Sequence, residues 1–273
     1  MDTKRIDGMQ LKRIELSIMQ EIHSICQKEG FRYSLCGGSL LGAIRHGGFI
    51  PWDDDIDIFM PRPDYEAFID YCMKNPVPFK ILCNKSDKNY TYLFAKAVDP
   101  NTVLIENNCE MKAVDLGVYV DVFPLDGLGN SYEEAMKKFN ESSFMRELLV
   151  AVNWKKYFRS KTRRWYYEPV RFVFYLISRL ISGEKLIKKI EKKYDFQCFD
   201  HVEYVACICG SYRAKEVGPR RLFQEYTDVK FEDCSFKGLK DYDQYLKNIY
   251  GNYMQLPPKE KQVSHHSFEA FYK

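Results

Sequence analysis

The sequence contains no long hydrophobic run, and this absence argues against a chain that crosses a membrane. No window of about 18 apolar residues is free of charge, as a transmembrane helix would require. The apolar stretch 170–181 is interrupted by Arg171 and Arg179. Residues 1–12 are polar and lack the apolar segment of a secretory signal peptide. These absences predict a protein that remains in the cytoplasm.

A paired cysteine framework, internal repeats and low-complexity linkers are also missing. The nine cysteines are an odd number and lie singly along the chain, which is not the pattern of a disulfide-stapled domain. A reducing compartment fits this pattern better. With 45% hydrophobic and 29% charged residues, the 273-residue chain has the composition of a globular protein. Its length allows one large domain or one domain with an elaboration.

The net charge is only +3, but it is unevenly distributed. Residues 154–193 carry thirteen Lys or Arg and three Asp or Glu, interleaved with Trp, Tyr and Phe. This mixture suits an anionic membrane surface, and it also suits a nucleic acid backbone. A pair of amphipathic helices, apolar on the core side and basic on the solvent side, explains it equally well. Of the two binding interpretations we favour peripheral membrane contact, and we expect no nucleic acid partner.

Hydrophobic spacing predicts an α+β protein with a mixed sheet in its first half. We expect residues 1–150 to form the catalytic core. We expect residues 151–273 to form a mainly helical region that packs on this core and completes the site. The predicted helices are 9–29, a short helix after Gly37, 64–73 with Asp64 as N-cap, 132–150 and 242–250. The predicted strands are 31–36, 56–60, 79–83, 92–98, 103–106 and 117–123. Residues 229–236 predict a strand or a hairpin, and a polar tail follows Pro258.

The chemically informative stretch is 37–57, with the sequence GGSLLGAIRHGGFIPWDDDID. Asp55 and Asp57 lie two residues apart at the start of a predicted strand, so their side chains share a face. Two carboxylates on one face repel unless a cation lies between them, and oxygen ligands favour Mg²⁺, with Mn²⁺ as the alternative. The glycine turn upstream offers backbone amides at a helix start, which suits phosphate oxygens. This combination predicts phosphoryl or nucleotidyl transfer.

A third carboxylate would complete such a site. Asp121 is the best candidate, because it interrupts the apolar strand 117–123, where an unpaired buried charge would be costly. Asp126, in the turn that we expect after this strand, is the weaker choice.

The stretch GGSLLGAIRHGGFIPWDDDIDIFM resembles the signature of the LicD family, which includes bacterial phosphocholine transferases and the fukutin-related proteins. Residues 96–102, 117–126 and 250–258 agree with that family as well. The resemblance implies a nucleotidyltransferase-like fold, in which Asp55, Asp57 and Asp121 hold a divalent metal. It also implies the reaction, in which a phospho-alcohol group such as phosphocholine moves from a CDP-linked donor to a sugar hydroxyl of a glycan or glycolipid, with release of CMP.

The resemblance gives the neighbouring residues candidate roles in substrate binding. Gly38 and Ser39 offer amides and a hydroxyl to phosphate oxygens. Arg45 and Lys96 are candidates for the remaining phosphate charge, with a surface cation as the alternative. Trp52 suits a base or a quaternary ammonium, although core packing explains it equally well.

Three histidines complete the candidate set. His46 is either a phosphate contact or a turn residue. His265 and His266 either close over the site or belong to a disordered tail.

Two other functions remain open at this stage. A true nucleotidyltransferase would use the same metal site, and a non-catalytic module could bind nucleotide on the same fold. If the acceptor is linked to lipid, the enzyme is expected at the inner face of the cell membrane, with residues 154–193 in contact with anionic lipid.

Overall fold

The computed structural model describes residues 4–106, 116–160, 164–194, 198–263 and 268–273. The helices in these ranges are α1 (Gly8–Glu29), α2 (Gly37–His46), α3 (Arg62–Lys74), α4 (Tyr132–Glu141), α5 (Ser143–Val152), α6 (Glu168–Ser178), α7 (Gly183–Glu191) and α8 (Tyr242–Tyr250). The strands are β1 (Arg5–Ile6), β2 (Ser34–Leu35), β3 (Asp57–Pro61), β4 (Lys80–Leu82), β5 (Ala95–Val98), β6 (Thr102–Glu106), β7 (Tyr119–Gly129), β8 (Tyr204–Ala206), β9 (Gly218–Pro219), β10 (Tyr226–Phe231), β11 (Cys234–Leu239) and β12 (Phe268–Tyr272).

The central sheet is mixed and has the order β2-β3-β7-β5-β4, with β8 and β9 continuing from the far end of β7. Strand β3 runs parallel to β7, whereas β5 runs antiparallel to β7. Together with the helices this sheet confirms the predicted α+β class. The long strand β7 is therefore hydrogen-bonded on both sides, and residues on it are held in fixed register.

Two hydrophobic clusters flank the sheet. The larger cluster joins α1, α3, the β10–β11 hairpin and α8 to the sheet, through buried side chains such as Ile22, Phe68, Phe231 and Leu246. The second cluster packs α4, α5 and α7 on the side of β8. The larger cluster combines chain from both halves of the sequence, so residues after 226 are part of the packing that supports the site. Whether 1–150 and 151–273 are separate units stays a prediction.

Two helix boundaries differ from the sequence prediction. The expected helix 132–150 is broken at Ser142, whose buried hydroxyl lies 2.5 Å from the hydroxyl of Tyr194 and 3.3 Å from the Phe139 carbonyl. The prediction that Asp64 caps α3 was wrong, because the helix begins one turn earlier and Pro61 is its N-cap. Asp64 instead accepts a 2.8 Å hydrogen bond from the Arg32 amide.

The chain after Pro258 is not simply a polar tail. Strand β12 pairs antiparallel with both β6 and β1. Ala270 on β12 is buried against Ile6, Leu11 and Val118. The second half also contains strands β8 to β11, in addition to its helices.

The basic segment 154–193 contains one helix that is packed and one that is not. Helix α7 buries its apolar residues, including Leu186 and Ile190. Helix α6 leaves an apolar face exposed, which consists of Val170, Val173 and Leu176 and continues to Leu180 after its end. None of the helices in the described ranges has both the length and the apolar character needed to cross a membrane.

Candidate active site

Three charged residues lie in one row across the centre of the sheet. Asp57 on β3 is in register with Asp121 on β7, and Asp121 is in register with Lys96 on β5. Residues in register on adjacent strands share a face. The Lys96 Nζ lies 2.6 Å from Asp121 Oδ1, and both side chains are buried. Strand pairing therefore brings together two predicted carboxylates that are 64 residues apart in sequence.

The start of α2 is attached directly to this row. The Asp57 amide donates a 2.8 Å hydrogen bond to Ser39 Oγ, and the Asp57 carbonyl accepts a 3.0 Å bond from the Cys36 amide. Ser39 is buried, and its hydroxyl retains its own proton for a second bond. Ser39 thus holds Asp57 in place, while its predicted contact with phosphate stays a prediction.

The two glycines at the start of α2 have a steric role. Gly37 has a φ of +51°, in the left-handed region that favours glycine. A Cβ atom on Gly38 would lie only 2.6 Å from Asp53 Oδ2. Glycine at residue 38 therefore lets the Asp53 carboxylate approach the helix start, where the partial positive charge of the helix favours an anion.

The site concentrates negative charge in a buried environment. Burial raises the pKa of Asp57 well above its ordinary value, and the neighbouring charges of Asp55 and Asp121 raise it further. Burial likewise raises the pKa of Glu15 on α1, with contributions from Asp55 and Asp54. Glu15 Oε2 is buried and has no hydrogen-bond partner among the described residues. A bound cation would relieve this accumulation of carboxylates.

These residues fit a hard divalent cation by their chemistry. Asp55, Asp57 and Asp121 are oxygen donors of the type that Mg²⁺ prefers. Within the described ranges, no three His, Cys, Asp or Glu side chains form a group that could hold a metal ion. One oxygen of Asp121 is paired with Lys96. A closed protein cage is not required, because Mg²⁺ is usually bound by one or two carboxylates together with waters and substrate phosphates.

A cleft of about 850 Å³ opens beside Asp55 and Asp57. It brings together five of the predicted site residues, Gly38, Arg45, Trp52, Asp55 and Asp57. The opposite wall is formed by the chain from Tyr250 to Pro258 and by Ser211 and Tyr212. The cleft therefore unites the glycine helix start, the carboxylates and a segment from the far end of the chain.

The predicted cations occupy different environments. Arg45 donates a 2.7 Å hydrogen bond from NH1 to the Tyr253 carbonyl, and burial lowers the pKa of Arg45. Arg45 thus fixes the C-terminal wall of the cleft to α2. The alternative that Lys96 is a surface cation was wrong, since its Nζ is buried 3.5 Å from the Tyr119 ring centre. A phosphate contact by either residue stays a prediction.

The predicted aromatic residues are only partly drawn into the cleft. Trp52 packs on the core and also lines the cleft. Its contact with a base or a quaternary ammonium stays a prediction. His46 is exposed and is not among the residues that line the cleft; its ring meets Trp52 edge-on at 6.2 Å between centroids. Burial, followed by the charge of Arg45, lowers the pKa of His46. His265 and His266 lie outside the described residues.

Asp126, the weaker candidate for the third carboxylate, belongs to a different interaction. Its two oxygens accept hydrogen bonds of 2.7 and 3.0 Å from Nε and NH2 of Arg62 on α3. Five residues separate Asp126 from Asp121, so the two side chains leave β7 on opposite faces. Asp126 therefore joins α3 to the sheet and does not reach the carboxylate row.

Sequence reasoning missed two contributors to the site. Glu15 lies on the apolar face of α1, between Leu11 and Ile18 in helical spacing, and a charge at such a position could have drawn attention to it. Tyr212 packs edge-on against Tyr250 on the same wall of the cleft, with 5.2 Å between ring centroids. No local pattern marks Tyr212, because only the tertiary fold brings it to the site.

A glycine-containing helix start that faces a row of strand carboxylates is the layout of enzymes that transfer phosphate-containing groups. A family model described as LicD/FKTN/FKRP, nucleotidyltransferase domain, matches residues 30–186. The chain belongs to this family, and it is a transferase of the LicD type.

Individual relatives extend this result. The chain is 29% identical over 279 residues to lipopolysaccharide cholinephosphotransferase LicD of Haemophilus influenzae, a match that covers 98% of this chain and 99% of that protein. It is also 59% identical over 34 residues to ribitol 5-phosphate transferase FKRP of mouse and of human, covering 12% of this chain and 7% of those proteins. One relative is thus similar along its whole length, whereas the others share one short segment.

Proposed function

We propose that this chain transfers phosphocholine from CDP-choline to a sugar hydroxyl of a lipopolysaccharide or related cell-surface glycan precursor, releasing CMP. The observation that carries the proposal is the similarity to the Haemophilus influenzae cholinephosphotransferase over 98% of the chain. The Asp57–Asp121 row beside the glycine start of α2 supports it, because both parts are needed to bind and activate a pyrophosphate.

The proposed reaction is a direct displacement at phosphorus. The acceptor hydroxyl oxygen forms a bond to the phosphorus of phosphocholine, and the bond from that phosphorus to the bridging oxygen breaks. The bridging oxygen leaves with CMP, and the hydroxyl proton passes to the Asp121 carboxylate. When bound by Asp55, Asp57 and Asp121, Mg²⁺ or Mn²⁺ would neutralise pyrophosphate charge and stabilise the leaving phosphate.

The other predicted site residues bind and orient the donor, or support the residues that do, in this proposal. The Gly38 amide and the Ser39 hydroxyl contact phosphate oxygens, and Arg45 supplies positive charge. Trp52 offers a ring face to the quaternary ammonium of choline or to the cytosine base. Lys96 keeps Asp121 oriented through their 2.6 Å ion pair.

Replacement of Asp57 tests the proposal. We expect Asp57→Ala to reduce the rate of CMP release in the presence of acceptor by roughly a thousandfold, the size of effect seen when transition-state charge stabilisation is removed. The folded state should persist, since the substitution removes a buried carboxylate that is costly to ionise. The matched control is Asp54→Asn, in the same acidic run but not among the residues that line the cleft. An Asp57→Ala enzyme of normal activity would contradict the proposal.

The products separate phosphocholine transfer from nucleotidyl transfer. Calorimetric titration with CDP-choline, CDP-ribitol and CTP, each with and without Mg²⁺, compares the donors directly. Metal-dependent binding of CDP-choline well above CTP, followed by CMP release, supports the proposal. Preference for CTP with release of pyrophosphate would favour a nucleotidyltransferase. Preference for CDP-ribitol would indicate that the transferred group is ribitol phosphate, the group in the name of FKRP.

A further inference from the structure

We infer that a second cavity, on the other side of the carboxylate row, binds the sugar end of the acceptor. This inference rests on the proposed function, which leaves the acceptor without a site. The cavity has a volume of about 630 Å³, within the range of small-ligand sites. It lies between the chain segment 91–94, helix α5 and the segment 208–214.

The position of this cavity is suited to a second substrate. The cleft is lined by Asp55 and Asp57, at the β3 end of the row. The second cavity is lined by Phe94, whose ring centre is 5.2 Å from Lys96 Nζ, at the β5 end. Asp121 lies between the two ends, and Ser211 lines both cavities. A donor in the cleft and an acceptor in the second cavity would therefore approach each other from the two ends of the row that contains Asp121.

The lining of this cavity has the chemistry that carbohydrates require. Tyr92, Phe94 and Phe139 offer aromatic faces for the apolar side of a sugar ring. The polar groups around them can bond to hydroxyls, and they come from Asn140, Ser143, Arg146, Glu147, Ser211 and Arg213. This mixture of rings and hydroxyl partners differs from the carboxylate-rich cleft, so the two cavities suit different halves of the reaction.

Arg146 places a fixed positive charge at the wall of this cavity. Its two terminal nitrogens donate to the Ile208 and Phe139 carbonyls, and its guanidinium lies 3.8 Å from the Phe139 ring centre. These contacts hold the side chain in place. Because the guanidinium is already ordered, a sugar oxygen in the cavity would meet it at little cost in side-chain entropy.

The cavity also opens toward the apolar face of α6. Val150 on α5 lines the cavity and is 51% exposed. Next to it, α5 packs on α6 through Phe144 and Phe174, with 5.1 Å between ring centroids. A lipid-linked glycan could place its sugar in the cavity while its lipid lies along α6. This geometry joins the acceptor cavity to the surface that we expect at the membrane.

Filling the cavity tests the inference. Ser143 and Ala214 line it from opposite walls and are exposed, so Ser143→Trp and Ala214→Trp should fold normally. With a deacylated lipopolysaccharide oligosaccharide as probe, we expect each variant to raise the acceptor KM and the calorimetric Kd by at least roughly tenfold. The affinity for CDP-choline should not change. The matched control is Gln244→Trp, on the exposed side of α8, which lines neither cavity.

The outcomes distinguish this inference from the proposed function. If both tryptophan variants bind the oligosaccharide as the unaltered chain does, with normal melting temperatures, the inference is wrong even when phosphocholine transfer is observed. If the unaltered chain binds the oligosaccharide and the variants do not, the cavity is the acceptor site. Absence of CDP-choline binding in all of them would overturn the proposed function instead, while the oligosaccharide titration still decides the inference.

Discussion

Two aspartates of strand β7 have different roles, one in the candidate site and one in the stability of the fold. Asp121 faces the cleft side and shares its row with Asp57 and Lys96. Asp126 faces the opposite side and is buried in a bidentate pair with Arg62. The sequence singled out Asp121 as a charge within an apolar strand, and it placed Asp126 in a following turn, whereas β7 includes both residues. Alternation along the strand places the two side chains on opposite faces of the sheet. Only the position of α3 shows which of these faces carries the site.

Removal of the Asp126 carboxylate should destabilise the fold without a direct effect on donor binding. Asp126→Ala leaves the Arg62 guanidinium buried without its bidentate carboxylate, while the ion pair with Glu66 remains. We expect the free energy of unfolding in urea to fall by roughly 3–5 kcal/mol. The double variant Arg62→Met/Asp126→Leu should recover most of this loss, because it removes both charges. An unchanged urea midpoint for Asp126→Ala would contradict this account.

The single residue Glu216 should make the free energy of unfolding depend on pH. Burial raises the pKa of Glu216 from about 4.5 to about 7. As pH rises through this range, the unfolded chain loses its proton before the folded chain does. The free energy of unfolding should therefore fall between about pH 4.5 and pH 7, by at most roughly 3 kcal/mol, and then level off.

Replacement of Glu216 should remove this pH dependence. In Glu216→Gln, the side-chain carbonyl can still accept the bond from the Tyr212 amide. We expect the variant to melt at a higher temperature than the unaltered chain at pH 8 and at a similar temperature at pH 4.5, by scanning calorimetry. The exposed Glu203 provides the control, since Glu203→Gln should leave the curve as it is. If Glu216→Gln raises the melting temperature more at pH 4.5 than at pH 8, burial of the Glu216 carboxylate is not the cause.

At the scale of elements, the best-predicted segments are those with local signals. Helix α1 has a capping box between Asp7 and Gln10, and Gly30 ends it with a φ of +76°. The hairpin 226–239 and helix α8 were also recognisable from alternation, turn residues and a final glycine. Strands β9 and β12 were missed because their existence depends on partners that are distant in sequence. Local pattern carries no information about such pairing.

The exposed face of α6 should bind anionic membrane. Val173 is 50% exposed in the centre of this face, and the exposed Arg179 lies just after the end of α6. We expect Val173→Glu to lower the affinity for vesicles of phosphatidylcholine and phosphatidylglycerol by roughly tenfold, as measured from the fraction of protein that co-sediments with them. Met9→Glu, at another exposed apolar residue, should have no effect. If the vesicle affinity of the unaltered chain changes neither with salt nor with the content of phosphatidylglycerol, the binding is not electrostatic and this part of the prediction is wrong.

At the scale of the molecule, the site is assembled from segments far apart in the chain. The stretch 37–57 could be recognised from sequence, because one compact motif holds both the glycines and the carboxylates. Asp121 could be inferred as a charge within an apolar strand. For the other cleft wall, the sequence singled out residues 250–258 but not Ser211 and Tyr212. Its position could not be predicted, because it depends on the packing of α8 against α2 and on the bond from Arg45 to Tyr253.

The last strand should contribute to the stability of the whole molecule. Strand β12 lies between β1 and β6, so it fastens the beginning of the chain to its middle. Deletion of residues 268–273 would expose Val118 and Leu11 and leave β6 without this partner. We expect the melting temperature to fall by roughly 5–10 °C. Surface substitution Lys273→Ala, which leaves the strand in place, should cause little change.

The hydrogen bond from Asp57 to Ser39 has a consequence for the order in which the protein is made. It closes a short segment of chain, so the half of the site formed by residues 37–57 can organise soon after residue 57 leaves the ribosome. Asp121 emerges 64 residues later, and the cleft wall after Ser211 later still. A nascent chain therefore carries Asp55 and Asp57 before β7 brings Asp121 to the site. A ribosome-bound fragment that ends before residue 119 should lack catalytic activity, even if it folds.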